Sequence, residues 1–239
     1  MNRRAVLWLI AIPLITGVIA VSWQQGWLRP PPAYDPFAPL HLHDRPTFVT
    51  AWKLLRLSRP EDCRAALATS QLQTLPVSDR EMTAECRLEH AVRVGATGSE
   101  TGLRFNASFL ASCPLAVAWA MFERHALQPL AQQHFGARVT QLHHLGSYAC
   151  RNVRGGTRRS EHARANAFDL AALTLSDGKR ISLSGHWRGR DAAATPEAAF
   201  LRDLRDGACR FFRTVLGPDY NAAHADHLHL DMGGFSICR

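Results

Sequence analysis

Nineteen uncharged residues near the N-terminus, Ala5 to Trp23, constrain this chain more than any other feature of its sequence. A stretch of this length can just cross the apolar core of a bilayer, and the Arg3-Arg4 pair before it favours an orientation with the N-terminus inside. A cleaved signal peptide fits the same pattern, with Ala20 and Ser22 as small residues near a cleavage point. Residues 1–23 are therefore predicted to be a transmembrane anchor or a signal segment. In both cases the rest of the chain is exported.

The cysteines agree with export. All six lie beyond the apolar segment, and no Cys-x-x-Cys pair occurs, which disfavours a zinc ribbon or a thioredoxin-type redox site. An even number of cysteines in an exported chain predicts disulfides, with the pairing left open. The six are Cys63, Cys86, Cys113, Cys150, Cys209 and Cys238.

The charge distribution argues against a nucleic-acid partner. The net charge is +8, from 28 basic and 20 acidic residues, but the arginines are scattered and no basic run is longer than Arg158-Arg159. A nucleic-acid-binding protein gathers such charge on one face or helix. Because 46% of the residues are hydrophobic and only 20% charged, we expect a packed core and at most a mild attraction to anionic surfaces.

Residues 24–46 hold six of the thirteen prolines, and such a stretch forms neither a helix nor a central strand. It is predicted to be a stiff, proline-rich linker, with the folded domain at residues 47–239.

Within that domain the pattern predicts an α+β fold, an antiparallel sheet with flanking helices, because helices and strands do not alternate as βαβ units. A helix capped by Ser112 is expected to run to Gly136, and one capped by Thr195 to run through Phe212. The expected strands are 138–148, 167–173, 180–183 and 228–232, the middle two joined by a turn at Asp177-Gly178.

Three histidines near the C-terminus, His224, His227 and His229, form the first candidate site. Side chains alternate along a strand, so His227, His229 and Asp231 share one face while the neighbouring leucines occupy the other. This pattern is typical of a metal site, but a solvated polar strand face would show it as well.

A second cluster strengthens the metal interpretation. His162 and Asp169 lie seven residues apart, and Asp169 interrupts an apolar run where an unpaired carboxylate would cost several kcal/mol of desolvation. An arginine could compensate that charge. Zinc held by two imidazoles and one carboxylate suits the available residues better, and it leaves a fourth position for water.

These motifs resemble the LAS-type zinc peptidases, which include D-alanyl-D-alanine carboxypeptidases, murein endopeptidases and the hedgehog signalling domain. The shared pattern is Ser-x-His, an aspartate seven residues later, and a C-terminal His-x-x-His-x-His. The similarity is closer to the bacterial extensin-like C-terminal family and covers roughly residues 60 to 239. It rests on Gly146–Arg151, Ser160–Asp169, Ala208–Arg210 and Val215–Pro218.

The resemblance implies a hedgehog/DD-peptidase-like fold and assigns roles by position. It makes His162, Asp169 and His229 the ligands of Zn²⁺. It places His227 beside the metal-bound water and His224 at the outer active site, so both are expected to be catalytic. Substrate binding falls to Arg151, through carbonyl or carboxylate groups, and to Ser160 behind the ligands.

Two departures from the family pattern matter. Ala165 stands where many relatives have glycine, so the loop after His162 is expected to differ. No Glu-x-x-His precedes the last ligand, so a histidine is the expected base.

The resemblance thus implies an exported, zinc-dependent peptidase that hydrolyses cell-wall peptidoglycan peptides with a metal-activated water. The protein would be anchored in the bacterial inner membrane with its domain in the periplasm, or be released into the periplasm after cleavage. The alternative is a non-catalytic zinc domain that binds the wall or serves a structural role. A disulfide between Cys150 and Cys209, which flank the site in sequence, is a further hypothesis.

Overall fold

The computed structural model describes residues 3–27, 29–78, 80–81, 86–187 and 195–239. Residues 1 and 2 of the predicted N-terminal segment and residue 28 of the predicted linker lie outside this set. Helix α1 (Arg3–Gln24) contains an 18-residue stretch, Leu7–Gln24, with a mean hydropathy of 1.8. Among the described residues it is the one helix that is long and apolar enough to cross a membrane. A signal sequence has the same length and composition.

The remaining helices are short and surround the sheets. They are α2 (Thr50–Arg56), α3 (Pro60–Leu67), α4 (Cys113–Phe122), α5 (Gln128–Phe135), α6 (Leu183–His186) and α7 (Pro196–Ala208). A π-helical turn, Glu123–Leu127, joins α4 to α5, and three 3₁₀ turns lie at Pro32–Tyr34, Glu161–Arg164 and Ala222–His224.

Three sheets are present in the described residues. The twelve strands are β1 (Thr74–Pro76), β2 (Arg80–Glu81), β3 (Arg87–Leu88), β4 (Ala91–Val94), β5 (Arg104–Phe105), β6 (Phe109–Ser112), β7 (Val139–Gly146), β8 (Ala167–Leu175), β9 (Arg180–Ser182), β10 (Thr214–Leu216), β11 (Leu228–Asp231) and β12 (Ile237–Cys238). The largest sheet has the order β12-β10-β11-β8-β7-β5, with β9 also paired to β8. A three-stranded antiparallel sheet has the order β1-β4-β6, and β2 pairs with β3.

The architecture is α+β, as the sequence predicts, but the large sheet is mixed. Strands β7, β8, β9, β10 and β11 pair in antiparallel fashion, whereas β5 with β7 and β10 with β12 are parallel. These two edge strands have only two residues each, too few for a recognisable sequence pattern, so the purely antiparallel prediction fails at the sheet edges.

Capping and turn residues set the ends of the long helices and strands. Ser112 and Thr195 cap α4 and α7 through their hydroxyl oxygens, and Asp177-Gly178 turns β8 into β9, as predicted. The helix predicted to run from Ser112 to Gly136 contains the π turn, because Pro129 cannot donate to the carbonyl four residues earlier. The helix predicted to reach Phe212 ends at Ala208, where the next residue enters a disulfide.

Helix α4 is buried along its length and positions β8. Its Trp119 packs on Phe168 of β8 with ring centroids 4.8 Å apart, and Phe168 packs equally closely on Phe109 of β6. Since side chains alternate along β8, Phe168 and Leu170 face this core while Asp169 faces away from it. The core therefore fixes the direction of the carboxylate.

Part of the predicted linker packs against the domain. Leu40 and Leu42 are buried in the core, and the Leu42 amide donates to Thr69 Oγ1. The buried Lys53 ammonium on α2 donates to the carbonyls of Pro32 and Pro39. The packed part of the chain therefore begins before residue 47, because these carbonyls satisfy a cation that would otherwise be buried without partners.

All six cysteines form disulfides, which join Cys63 to Cys113, Cys86 to Cys150 and Cys209 to Cys238. The hypothesis of a Cys150–Cys209 bond is wrong. Sequence proximity to the site does not determine pairing, because β12 brings Cys238 beside the end of α7, while Cys86 reaches the loop after β7.

Candidate functional site

The pairing of β8 with β11 creates the centre of the site. In this antiparallel register His229 lies directly opposite Asp169, with Leu230 opposite Phe168 and Leu228 opposite Leu170. A slip of β11 by one residue would turn His229 toward the core and its flanking leucines toward the cleft, so burial of those leucines disfavours that slip. On the other edge of β8, Gly146 of β7 pairs with Asp169.

His162 reaches the same point from a 3₁₀ turn. Ser160 begins this turn, and its hydroxyl oxygen accepts from the His162 amide at 3.3 Å. Ala165 ends it with φ = 51°, a left-handed conformation that glycine adopts more readily. Alanine adopts this conformation here, and the chain enters β8 two residues later.

Three potential ligand atoms converge in the cleft. His162 Nε2 lies 3.2 Å from Asp169 Oδ2 and 3.2 Å from His229 Nδ1, and His229 Nδ1 lies 3.0 Å from Asp169 Oδ1. A tetrahedral ion with bonds of about 2.0–2.1 Å has ligand atoms roughly 3.3 Å apart. The donors suit a zinc ion in type, and one ligand atom from each of His162, Asp169 and His229 lies within 4.8 Å of the others.

The outer nitrogen of each of these histidines is also occupied. His162 Nδ1–H donates to the carbonyl of Ser147 at 3.0 Å, and His229 Nε2–H donates to Asp231 Oδ2 at 3.0 Å. With the outer nitrogens bonded in this way, His162 Nε2 and His229 Nδ1 are the nitrogens left to bind a metal. Such outer-shell partners are a regular feature of histidine metal ligands.

The metal-free cluster perturbs its own protonation. Burial alone would raise the pKa of the Asp169 carboxyl, but hydrogen bonds from His162 and His229 outweigh it and hold that pKa well below its usual range. Burial alone would lower the pKa of His229, but its bonds to Asp169 and Asp231 raise that pKa to about 9. Without a metal, these two carboxyl groups therefore favour a second proton on His229.

Two further histidines stand at the mouth of this cluster. His227 Nε2 lies 3.6 Å from Asp169 Oδ1, and its Nδ1–H donates to Asp226 at 2.8 Å, which leaves Nε2 as an acceptor. His224 Nδ1–H donates to Asn221 Oδ1 at 2.8 Å. Burial, with repulsion from the other two imidazoles, lowers the pKa of His224 to about 4, so this ring is neutral near pH 7.

The cleft around these residues has a volume of about 710 Å³ and a basic rim. Arg151, Arg154 and Arg158 line it from the loop after β7, and all three are exposed. The Arg158 guanidinium lies over the Phe235 ring, 5.2 Å from its centroid, and so connects this loop to the C-terminal wall. The exposed arginines at the edge of the cleft can bind anionic groups, and the three potential ligands at its base can bind a cation.

The structure brings all seven residues predicted for the site to this one cleft. The ligand candidates His162, Asp169 and His229 form its floor, His227 and His224 lie beside them, and Arg151 lies on the rim. Ser160 is buried, and its hydroxyl oxygen accepts from the His162 amide. This bond positions the turn that carries His162.

The sequence interpretation did not single out four partners of these residues. Strand alternation places Asp231 on the correct face without assigning it a role. The sequence motifs assign no role to Asp226 or Asn221 either. Strand alternation and adjacency to His227 were available signals for the two aspartates. The Ser147 carbonyl carries no side-chain signal, because it is a backbone group brought near by the bend at Gly146.

Comparison with known proteins gave one match. The family model described as extensin-like protein C-terminus matches residues 61–239, a span that contains every residue of the cleft. No curated protein and no solved structure matches the chain significantly.

Proposed function

This chain belongs to the extensin-like protein C-terminus family, and from that premise we propose that it is an exported zinc-dependent peptidase acting on peptide cross-links of cell-wall peptidoglycan. The proposal includes a relation to the LAS-type fold and a periplasmic domain held by the N-terminal helix. Three disulfides support an oxidising compartment.

One observation carries the proposal. The ligand atoms of His162, Asp169 and His229 meet at the floor of an open cleft, and both histidines have their outer nitrogens bonded to Ser147 and Asp231. A closed structural zinc site has four protein ligands, whereas three ligands beside a cleft leave a position for water. Three ligands beside an open cleft therefore favour a catalytic zinc site over a structural one.

A zinc ion bound by these three residues would acidify a water molecule and polarise a scissile carbonyl. His227 is suited to accept the proton of that water, because its Nδ1–H is committed to Asp226 and its Nε2 faces the cluster. His224, neutral near pH 7, can orient the water or the leaving amine through its remaining nitrogen.

The basic rim supports a substrate with carboxylates. The planar guanidinium of Arg151 can bind a carboxylate through two parallel hydrogen bonds, and Arg154 extends the same rim. Peptidoglycan is an exported polymer with amide cross-links and free carboxylates, so it matches both the floor and the rim.

The experiment compares the full-length chain with His229→Ala, His227→Ala and His134→Ala. His134 pairs with Asp203 outside the cleft, which makes it a matched control. After zinc is supplied, elemental analysis measures bound metal, and the new free amino groups that appear on purified peptidoglycan measure cleavage. We expect about one zinc ion per wild-type chain and per His134→Ala chain, together with cleavage by both.

The two remaining variants separate metal binding from hydrolysis. His229→Ala should lose zinc and cleavage, whereas His227→Ala should keep zinc and lose cleavage. A folded wild-type chain that binds no supplied zinc would overturn the proposal. Zinc in the wild type, His227→Ala and His134→Ala, with no cleavage by any of them but retention on peptidoglycan, would favour the non-catalytic wall-binding alternative.

A further inference from the structure

Four exposed apolar side chains form a continuous patch near the start of the domain. Phe48 is 83% exposed, Trp52 53%, Tyr34 52% and Leu55 47%. The Tyr34 and Phe48 rings are in contact, with centroids 6.3 Å apart. Trp52 and Leu55 are three residues apart on α2, the spacing that places side chains on one helical face, and Phe48 lies two residues before that helix. Three of the four are aromatic and none carries a charge. We call these four residues the aromatic patch.

This patch differs from the other exposed apolar residues of the domain. Leu75 on β1 and Phe235 beside the cleft are also exposed, but single apolar side chains are ordinary on a protein surface. A contiguous group that includes a tryptophan and a tyrosine is not ordinary, and these two residues are enriched where proteins meet the headgroup region of a membrane.

The chain holds the patch close to the end of α1. Lys53 donates to the carbonyls of Pro32 and Pro39, and Arg56 Nη1 donates to that of Pro36. These bonds fasten the proline-rich segment to α2. Only the eight residue-to-residue steps from Gln24 to Pro32 remain as a tether, which spans at most about 28 Å when fully extended.

We propose that the aromatic patch of Tyr34, Phe48, Trp52 and Leu55 lies in the headgroup region of the membrane that α1 crosses, and docks the domain on the outer face of that membrane. The inference rests on the proposed anchor and not on hydrolysis. Two observations carry it: the patch combines three exposed rings, two of which have polar tips, with an exposed leucine, and the bonds of Lys53 and Arg56 to the proline-rich segment remove most of the freedom that the linker would give. Docking would restrict the domain to wall polymer close to the membrane.

The test uses the full-length chain labelled with 5-fluorotryptophan in phosphatidylcholine nanodiscs. A small fraction of lipid carries a gadolinium chelate on its headgroup, which broadens nearby fluorine signals. Each signal is assigned by a Trp→Phe substitution. We expect the Trp52 signal to be lost together with that of Trp27, while the signals of Trp119 in the core and Trp187 beside the cleft persist.

A pair of variants tests the patch itself. Phe48→Ser with Leu55→Ser should restore the Trp52 signal while the chain still co-elutes with the discs and the Trp119 signal keeps its position. Leu75→Ser, a change at an exposed apolar residue outside the patch, should leave the Trp52 signal lost.

Several results would overturn the inference. If Trp52 persists while Trp27 is lost, the domain is anchored but the patch faces away from lipid. If Trp52 persists and the chain forms dimers that the double serine variant abolishes, the patch binds a second copy. If the chain does not enter the discs, the anchor fails and the inference fails with it, whereas zinc binding and cleavage are measured separately.

Discussion

At the scale of single residues, His162 and His229 use both of their ring nitrogens. His229 faces Asp169 with Nδ1 and donates from Nε2 to Asp231, whose other oxygen accepts from the Gly233 amide. An asparagine has only one acceptor oxygen, so it could not accept from both His229 Nε2–H and the Gly233 amide. With both bonds, the carboxylate keeps a proton on Nε2 of His229 and leaves Nδ1 for a metal.

Asp231→Asn is therefore expected to weaken zinc binding by roughly 10- to 100-fold, the usual cost of removing an outer-shell partner. Zinc titration against a competing chelator measures the change. Asp203→Asn, which alters an exposed carboxylate bound to His134, should leave the affinity unchanged. Equal affinities for Asp231→Asn and wild type would remove Asp231 from the site.

The proton on His229 predicts a pH dependence with a definite sign. Its pKa of about 9 in the metal-free chain lies above the value of an unfolded histidine, so its stabilisation is full below about pH 6.5 and is lost as the pH rises through 9. Zinc must displace this proton.

Apparent zinc affinity should accordingly rise about tenfold per pH unit between pH 6.5 and 8. Calorimetry in buffers of different ionisation enthalpy should detect the release of about one proton per zinc at pH 7.5. Binding that is independent of pH and releases no proton would show that His229 is not a ligand.

At the scale of elements, α4 is connected to the turn that carries His162. The hydroxyl of Ser112 accepts from the Leu115 amide at 3.2 Å and donates to Asn166 Oδ1 at 2.6 Å, and Asn166 in turn donates to Glu161. One side chain thus caps the central helix and holds the loop between His162 and β8.

Ser112→Ala should cost about 2 kcal/mol of unfolding free energy, from the lost cap and an unsatisfied acceptor on Asn166. Thr195→Ala removes only the cap of α7 and should cost about 1 kcal/mol. Urea unfolding of both variants measures the difference. Equal costs would mean that the Ser112–Asn166 bond contributes nothing to stability.

At the scale of the whole molecule, the disulfides have separate tasks. Cys86–Cys150 holds the start of the loop that carries Arg151. Cys63–Cys113 joins α3 to α4 within the core. They close segments of 64 and 50 residues, so chain entropy assigns each about 4 kcal/mol of stability.

Replacement of either pair by alanine should therefore lower stability by a similar amount, about 4 kcal/mol in urea unfolding. Hydrogen exchange should separate them, because only the Cys86→Ala, Cys150→Ala variant should increase exchange in residues 147–160. Equal exchange in the two variants would show that the loop is held by its other contacts.

The sequence by itself determined the elements that depend on local chemistry. The caps at Ser112 and Thr195, the turn at Asp177-Gly178 and the alternation that turns Asp169 away from the core are all readable from neighbouring residues. The motif also indicated the seven residues that the cleft brings together.

Only the tertiary structure decided the rest. The register of β8 against β11, the disulfide pairing, the Ser147 carbonyl behind His162 and the packing of Leu42 into the core all join residues far apart in the chain. Such contacts depend on which distant surfaces bury each other, and no local propensity encodes that choice.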